Sequence, residues 1–480
     1  MASLRLAAAL PLFLSLLHPA HGQRIGTLVP EVHPKLTTQV CTTAGGCVNK
    51  QTSLVTDALS RHFHAADDAS VSCSAQPLNT TLCPDAATCA QNCVLEGVEY
   101  GSIGVLATGA AVTLRQYLFD GAAFKSVSPR VYLLAEDDMN YEPMRLLNQE
   151  LAFDVDLSRL GCGMNGALYL SEMDMSGSRS ALNPAGAQYG TGYCDAQCFT
   201  VPFINGLPNL NNSGSCCNEM DIWEANAEAT VFTPHPCSGV GSFLCAGTEC
   251  NKTVGVCDKD GCGLNTFGLG NPDYYGPGLT VDTARPFTVV TQFLTSDNTT
   301  AGDLVEIRRL YVQDGAVIPN TAKTTNAAVA KLPGYQGAVT QDYCEARNTS
   351  DFLRLGGVKA MGESLARGMV LIFSIWNSPG DFMSWLDGGS NGPCNATAGD
   401  PKTIIANNPD VSVTFSNIRW GDIGSTFSAA TSPGGGASSA GAEAGGKAAL
   451  QASTSGAVSA RQAAVGAAAG LTALLGVFLA

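Results

Sequence analysis

Apolar and polar positions alternate in short runs along most of this chain. That period of two belongs to strands with one buried face. "FTVVTQFLT" (Phe287–Thr295), "LVEIRRLYV" (Leu304–Val312), "MVLIFSIW" (Met369–Trp376) and "VSVTFSNIRWG" (Val411–Gly421) are rich in β-branched and aromatic residues. "RVYLLAED" (Arg130–Asp137), "LAFDVDLS" (Leu151–Ser158) and "GALYLSEM" (Gly166–Met173) read the same way. Turn clusters such as "NPAGAQYGTG" and "GLGNPDYYGPG" separate the strands. Helical periodicity is scarce; only "NAAVAKLPG" and "GESLAR" predict short helices. Many strands with few helices predict an all-β fold, an antiparallel β-sandwich.

The pattern changes at both ends. "MASLRLAAALPLFLSLLHPAHGQ" has Arg5, an apolar run from Leu6 to Leu17, then small residues. It reads as a secretory signal peptide over residues 1–22, cut after Gly22. From Gln23 to Ser425 there is neither linker nor repeat, which predicts one domain over 23–425. Residues 426–462 are Gly/Ala/Ser-rich, cannot bury a core, and read as a flexible stalk. The apolar tail 463–480, "AAVGAAAGLTALLGVFLA", follows small residues near Ser453 and a spacer with Arg461. That order fits a GPI-anchor signal. A tail-anchored helix and a plain low-complexity segment are the alternatives.

The formal net charge of −15 repels nucleic acid and anionic lipid, so neither is expected as a partner. Membrane contact is expected only through the anchor. The 18 cysteines, in an exported chain, predict up to nine disulfides. No metal and no organic cofactor is expected. Sequons at Asn79, Asn211, Asn251, Asn298, Asn348 and Asn395 fit an extracellular or cell-surface location.

The densest chemistry lies in "CCNEMDIWEAN", where Glu219, Asp221 and Glu224 crowd together. In a regular strand, Glu219, Asp221 and Trp223 share a face, and Glu224 points the other way. A β-bulge between Asp221 and Glu224 would bring the three carboxyls to one side. Retaining hydrolysis of a glycosidic bond needs two carboxyls in different protonation states, one attacking and one donating a proton. Neighbouring anions raise a third group's pKa and keep it protonated. A solvated acidic strand and a calcium site remain the alternatives, although Met220, Ile222 and Trp223 imply that one face packs into a core.

"GTGYCDAQC", "SCCNEMDIWEAN" and "TPHPC" together resemble glycoside hydrolase family 7, the fungal cellulases. "PEVHPKLTTQVCT", "TLCPDAATCAQNC", "CGMNGALYL", "YYGPG", "VVTQF" and "WGDIGS" extend the resemblance from Gln23 to Ser425. It implies a concanavalin-like β-jelly roll whose disulfide-tied loops form a β-glucan cleft, and hydrolysis of β-1,4-glucan with retention. By matched position, Glu219 is the nucleophile, Asp221 its partner and Glu224 the acid/base. The resemblance places Trp376 and Trp385 as sugar platforms flanking the cut. It places His235 near the leaving-group side. Asn165, Tyr169, Asp195, Gln197 and Arg130 become candidates for contacting sugar or orienting carboxylates. It also implies Cys41–Cys47, Cys73–Cys93, Cys83–Cys89, Cys162–Cys394 and Cys262–Cys344, with Cys194 and Cys198 tied to the Cys216–Cys217 pair.

The resemblance implies an open groove over a tunnel, since the stretches between Cys198 and Cys216 and between Trp385 and Cys394 are short where tunnel-forming members of that family carry longer loops. The expectation is therefore a monomeric endo-β-1,4-glucanase of the endoglucanase branch. A cellobiohydrolase, a glucan-binding wall protein and a transglycosylase are the alternatives. Ser60 and His62 stand where relatives carry aromatic platforms, which predicts a weaker grip at the far glycone end.

Overall fold

The computed structural model describes residues 23–428. The expected signal peptide, stalk and anchor signal lie outside them, apart from the first three stalk residues. Among the described residues no helix is long and apolar enough to cross a membrane.

The strands that shape the molecule are β1 (Lys35–Thr42), β2 (Gly46–Thr56), β3 (Arg130–Leu134), β4 (Gln149–Asp156), β5 (Asn165–Ser171) and β6 (Glu219–Ala225). They continue as β7 (Thr230–His235), β8 (Phe287–Thr295), β9 (Leu304–Gln313), β10 (Met369–Trp376) and β11 (Ser412–Asp422). Each strand expected from the alternating pattern is present, with ends displaced by a few residues. β3 stops at Leu134 rather than Asp137 because Asp137 accepts from Met139 N and Asn140 N, closing a turn. "GESLAR" lies in helix α1 (Gly357–Arg367), whose Val358, Met361 and Leu365 form one buried face. Gly362 lets that helix approach β9, since a Cβ there would stand 2.4 Å from Leu304 Cβ. "NAAVAKLPG" forms only a 3₁₀ turn, Val329–Lys331, as Pro333 prevents continuation.

Two layers face each other. The front layer runs β7-β6-β5-β10-β3-β2, every neighbouring pair antiparallel. The back layer includes β1, β11, β4, β8 and β9, antiparallel except for β1 beside β11. The β1–β2 pairing joins the layers at one edge. Between them lies the main core, with Leu168, Met220, Trp223 and Phe373 from the front and Phe153, Phe287, Tyr311 and Phe415 from the back. Trp223 meets Phe153, Tyr275, Phe287 and Tyr311 edge-on at centroid distances of 6.1, 6.0, 6.0 and 6.4 Å. Truncating such a residue costs roughly 3–5 kcal/mol. The strand that carries the acidic cluster is therefore anchored from behind. Trp420 is also core.

Nine disulfides are present. They include every pairing implied by the family resemblance, and Cys194–Cys217 with Cys198–Cys216 resolve the vicinal pair. Cys237–Cys257 and Cys245–Cys250 complete the set.

Candidate active site

The site begins with an irregularity in β6. Asp221 pairs with Thr233 and Glu224 with Val231, so Ile222 and Trp223 together oppose Phe232 alone. This is a β-bulge at the position expected. It moves two side chains relative to regular alternation. Trp223 does not share a face with Glu219 and Asp221; it joins Met220, Ile222 and Ala225 in the core. Glu224 lies in register with Ala167, which faces the other way with Tyr169, Cys194 and Cys217. Glu219, Asp221 and Glu224 thus share the open face of the front layer.

Each carboxyl has its own partner. Glu219 Oε2 accepts from Ala196 N at 3.0 Å. The two disulfides beside Ala196 tie that loop to Cys216 and Cys217, directly ahead of β6. Asp221 Oδ2 lies 3.0 Å from His235 Nε2. His235 Nδ1 donates to the Asp258 carbonyl at 2.9 Å, which fixes the ring and leaves Nε2 for Asp221. Glu224 Oε1 accepts from Asn165 Nδ2 at 2.9 Å. Asn165 Oδ1 in turn accepts from Ala225 N at 3.1 Å, locking its amide across the β5–β6 pair.

Burial and mutual repulsion set the protonation. Burial, then the Asp221 charge, push Glu224 up to about 8. Burial, then Asp221 and Asp195, push Glu219 well above the usual carboxylate range; His235 and the Ala196 N–H oppose this. Burial, then Asp195, raise Asp221 likewise. Four acids this close cannot all ionise, so protons are held where charge is least supported.

The other expected residues surround this row. Asp195 is buried and accepts from Tyr193 Oη at 2.7 Å, Gln197 N at 3.0 Å and Cys198 N at 3.1 Å. Tyr169 Oη and Tyr193 Oη are 3.1 Å apart. Gln197 Nε2 donates to the Lys259 carbonyl at 2.9 Å. Arg130 stacks 3.5 Å above the Tyr193 ring and pairs with Asp57. Trp376 is in register with Asn165, at the end of β10. Its ring stacks with Trp385 at 6.2 Å between centroids and 26° between planes. The two tryptophans thus stand as a stacked pair, with Trp385 carried on the short helix Ser384–Asp387.

Sequence reasoning did not single out Tyr193, Asp57 or Asp258. Tyr193 was visible inside "GTGYCDAQC"; Asp57 and Asp258 come from distant segments that only the fold brings here. Of the cysteines grouped closely enough to suggest metal ligands, all are in disulfides.

The family model for glycosyl hydrolase family 7 matches residues 25–427. The endo-beta-1,4-glucanase celB of Aspergillus oryzae is 55% identical over 416 residues, spanning 86% of this chain and 98% of that protein. The native structure of Humicola insolens endocellulase EGI is 46% identical with a TM-score of 0.80, over 84% of this chain and 100% of that one. A family 7 cellobiohydrolase from Daphnia pulex is 35% identical with a TM-score of 0.76, over 84% and 100%.

Proposed function

Because this chain belongs to glycosyl hydrolase family 7, we propose that it is an endo-β-1,4-glucanase that cleaves internal bonds of a β-glucan with retention. The observation that carries the reading is the bulge that sets Glu219, Asp221 and Glu224 on one face. Glu219 attacks the anomeric carbon, supported as a carboxylate by the Ala196 N–H. Glu224, protonated through neutral pH, gives its proton to the leaving oxygen and then takes one from water. Asp221, tied to His235, provides the negative field that keeps Glu224 protonated. His235, with both ring nitrogens engaged, acts through Asp221. Trp376 and Trp385 offer apolar faces for sugar rings, and Trp385 is 38% exposed.

Endo action is supported by the short segments around Cys198–Cys216 and Trp385–Cys394, and by the endocellulase likeness. Export is supported by the pattern of residues 1–22 and by exposed sequon asparagines at Asn211, Asn251, Asn298, Asn348 and Asn395. Surface anchoring rests on the tail 463–480. Release of activity from cells by a phosphatidylinositol-specific lipase tests it, and retention on the cells would sink it.

Glu219→Gln is expected to lower turnover of a soluble cellulose derivative by several orders of magnitude with an unchanged circular dichroism spectrum. Wild-type protein should drop viscosity early, ahead of reducing-end release. Near-native turnover in the variant, or slow viscosity loss in the wild type, would overturn the respective assignment.

A further inference from the structure

Arg309 lies at the centre of β9, with no exposed surface. A fully buried guanidinium is costly unless something compensates it. The ionisable groups that act on it are the tyrosines Tyr311, Tyr274 and Tyr275, not carboxylates. Its polar contacts are neutral: Nε donates to Thr291 Oγ1 at 3.2 Å, and Nη2 donates to the Ile222 carbonyl.

Ile222 is half of the bulge. A bulge breaks the ladder and leaves a residue without its regular partner. A buried carbonyl in that position needs a donor from elsewhere. Arg309 supplies one from across the sandwich. Its guanidinium also lies 5.5 Å from the Trp223 ring and 4.5 Å from the Phe232 ring. Those are the second bulged residue and the single residue opposite. Every member of the irregularity therefore meets the same cation.

We propose that Arg309 is a positioning residue: by holding the Ile222 carbonyl it keeps the bulge that turns Glu224 into the cleft. Without it, β6 and β7 gain ladder bonds by regular pairing, and Glu224 leaves the register that aims it at the leaving oxygen. The inference rests on Glu224 being the acid of the proposed reaction.

The test uses the full chain and aryl cellobiosides. A dinitrophenolate leaves without proton donation, whereas an unsubstituted phenolate needs it. The ratio of kcat/KM for the two substrates does not depend on the folded fraction of the sample. Arg309→Met replaces a buried charge by an apolar chain, a change that proteins often tolerate or gain from. Its kcat/KM on the phenyl substrate is expected to fall about tenfold or more, within the range acid catalysis supplies. On the dinitrophenyl substrate it should stay within about twofold, and Arg309→Lys should recover part of the loss. If the Met variant does not fold, the same ratio in Arg309→Lys decides, with a rise expected. Equal losses on both substrates, or an unchanged ratio, overturn the proposal. Glu224→Gln is the control. If it leaves the ratio unchanged, the assignment of Glu224 as acid fails. If it raises the ratio while the Arg309 variants do not, only the role of Arg309 fails.

Discussion

At the residue scale, the site works by giving similar acids dissimilar surroundings. Glu224 is held up at about 8 by burial and by Asp221, while Asn165 favours its charged form. With Glu224 as the proposed acid, the free enzyme's kcat/KM should therefore fall as pH rises through about 8, where that group loses its proton. Asn165→Ala removes a donor to the carboxylate, so the protonated form gains. Its alkaline limb should move to higher pH, with lower kcat from the looser carboxyl; a limb moving to lower pH would refute this account. The acids themselves were legible in the chain, because three carboxylates among apolar residues have few structural uses. Their partners were less so. His235 was expected near the leaving-group side, and its nitrogens reach the Asp221 carboxyl and the Asp258 carbonyl. Sequence spacing carries no information about which ring nitrogen a distant carbonyl will claim.

At the element scale, β6 is a strand made irregular on purpose and braced on three sides. Trp223 anchors it from the core, β5 and β7 flank it, and two disulfides hold the Ala196 loop against its start. Replacing Cys198 and Cys216 together by Ser should cost about 3 kcal/mol by the loop-entropy account. It should also lower kcat more than it raises KM, since the lost tie positions the Ala196 N–H and not the sugar. Thermal melting and steady-state kinetics on one sample check both; a change in KM alone would contradict the assignment. The strands were readable because alternation of side chains is local. The bulge could be posed as a condition from the position of the acids, yet the side Trp223 would take required knowing which face had room for an indole.

At the scale of the whole molecule, the buried acids link function to stability. Glu224 holds a proton in the folded state that an unfolded chain releases near pH 4. The native state then binds more protons, so stability falls as pH rises above the unfolded value and on through about 8. The slope is about 1.4 kcal/mol per pH unit for such a proton. Melting temperature should be higher at pH 5 than at pH 8, and Glu224→Gln should reduce the difference; an equal or larger difference in the variant would contradict it. The sequence by itself determined the strands, the acidic cluster, the cysteine framework and the family likeness, because alternation, residue type and motif spacing are properties of neighbouring positions. Only the tertiary structure decided that Arg309 reaches Ile222 from the opposite layer, that Trp376 and Trp385 stand together, and that His235 serves a carboxylate. The Arg309–Ile222 contact joins residues 87 apart and is set by how two twisted sheets pack. The other two depend on how a turn folds back and on which ring nitrogen is free, which no alternating pattern encodes.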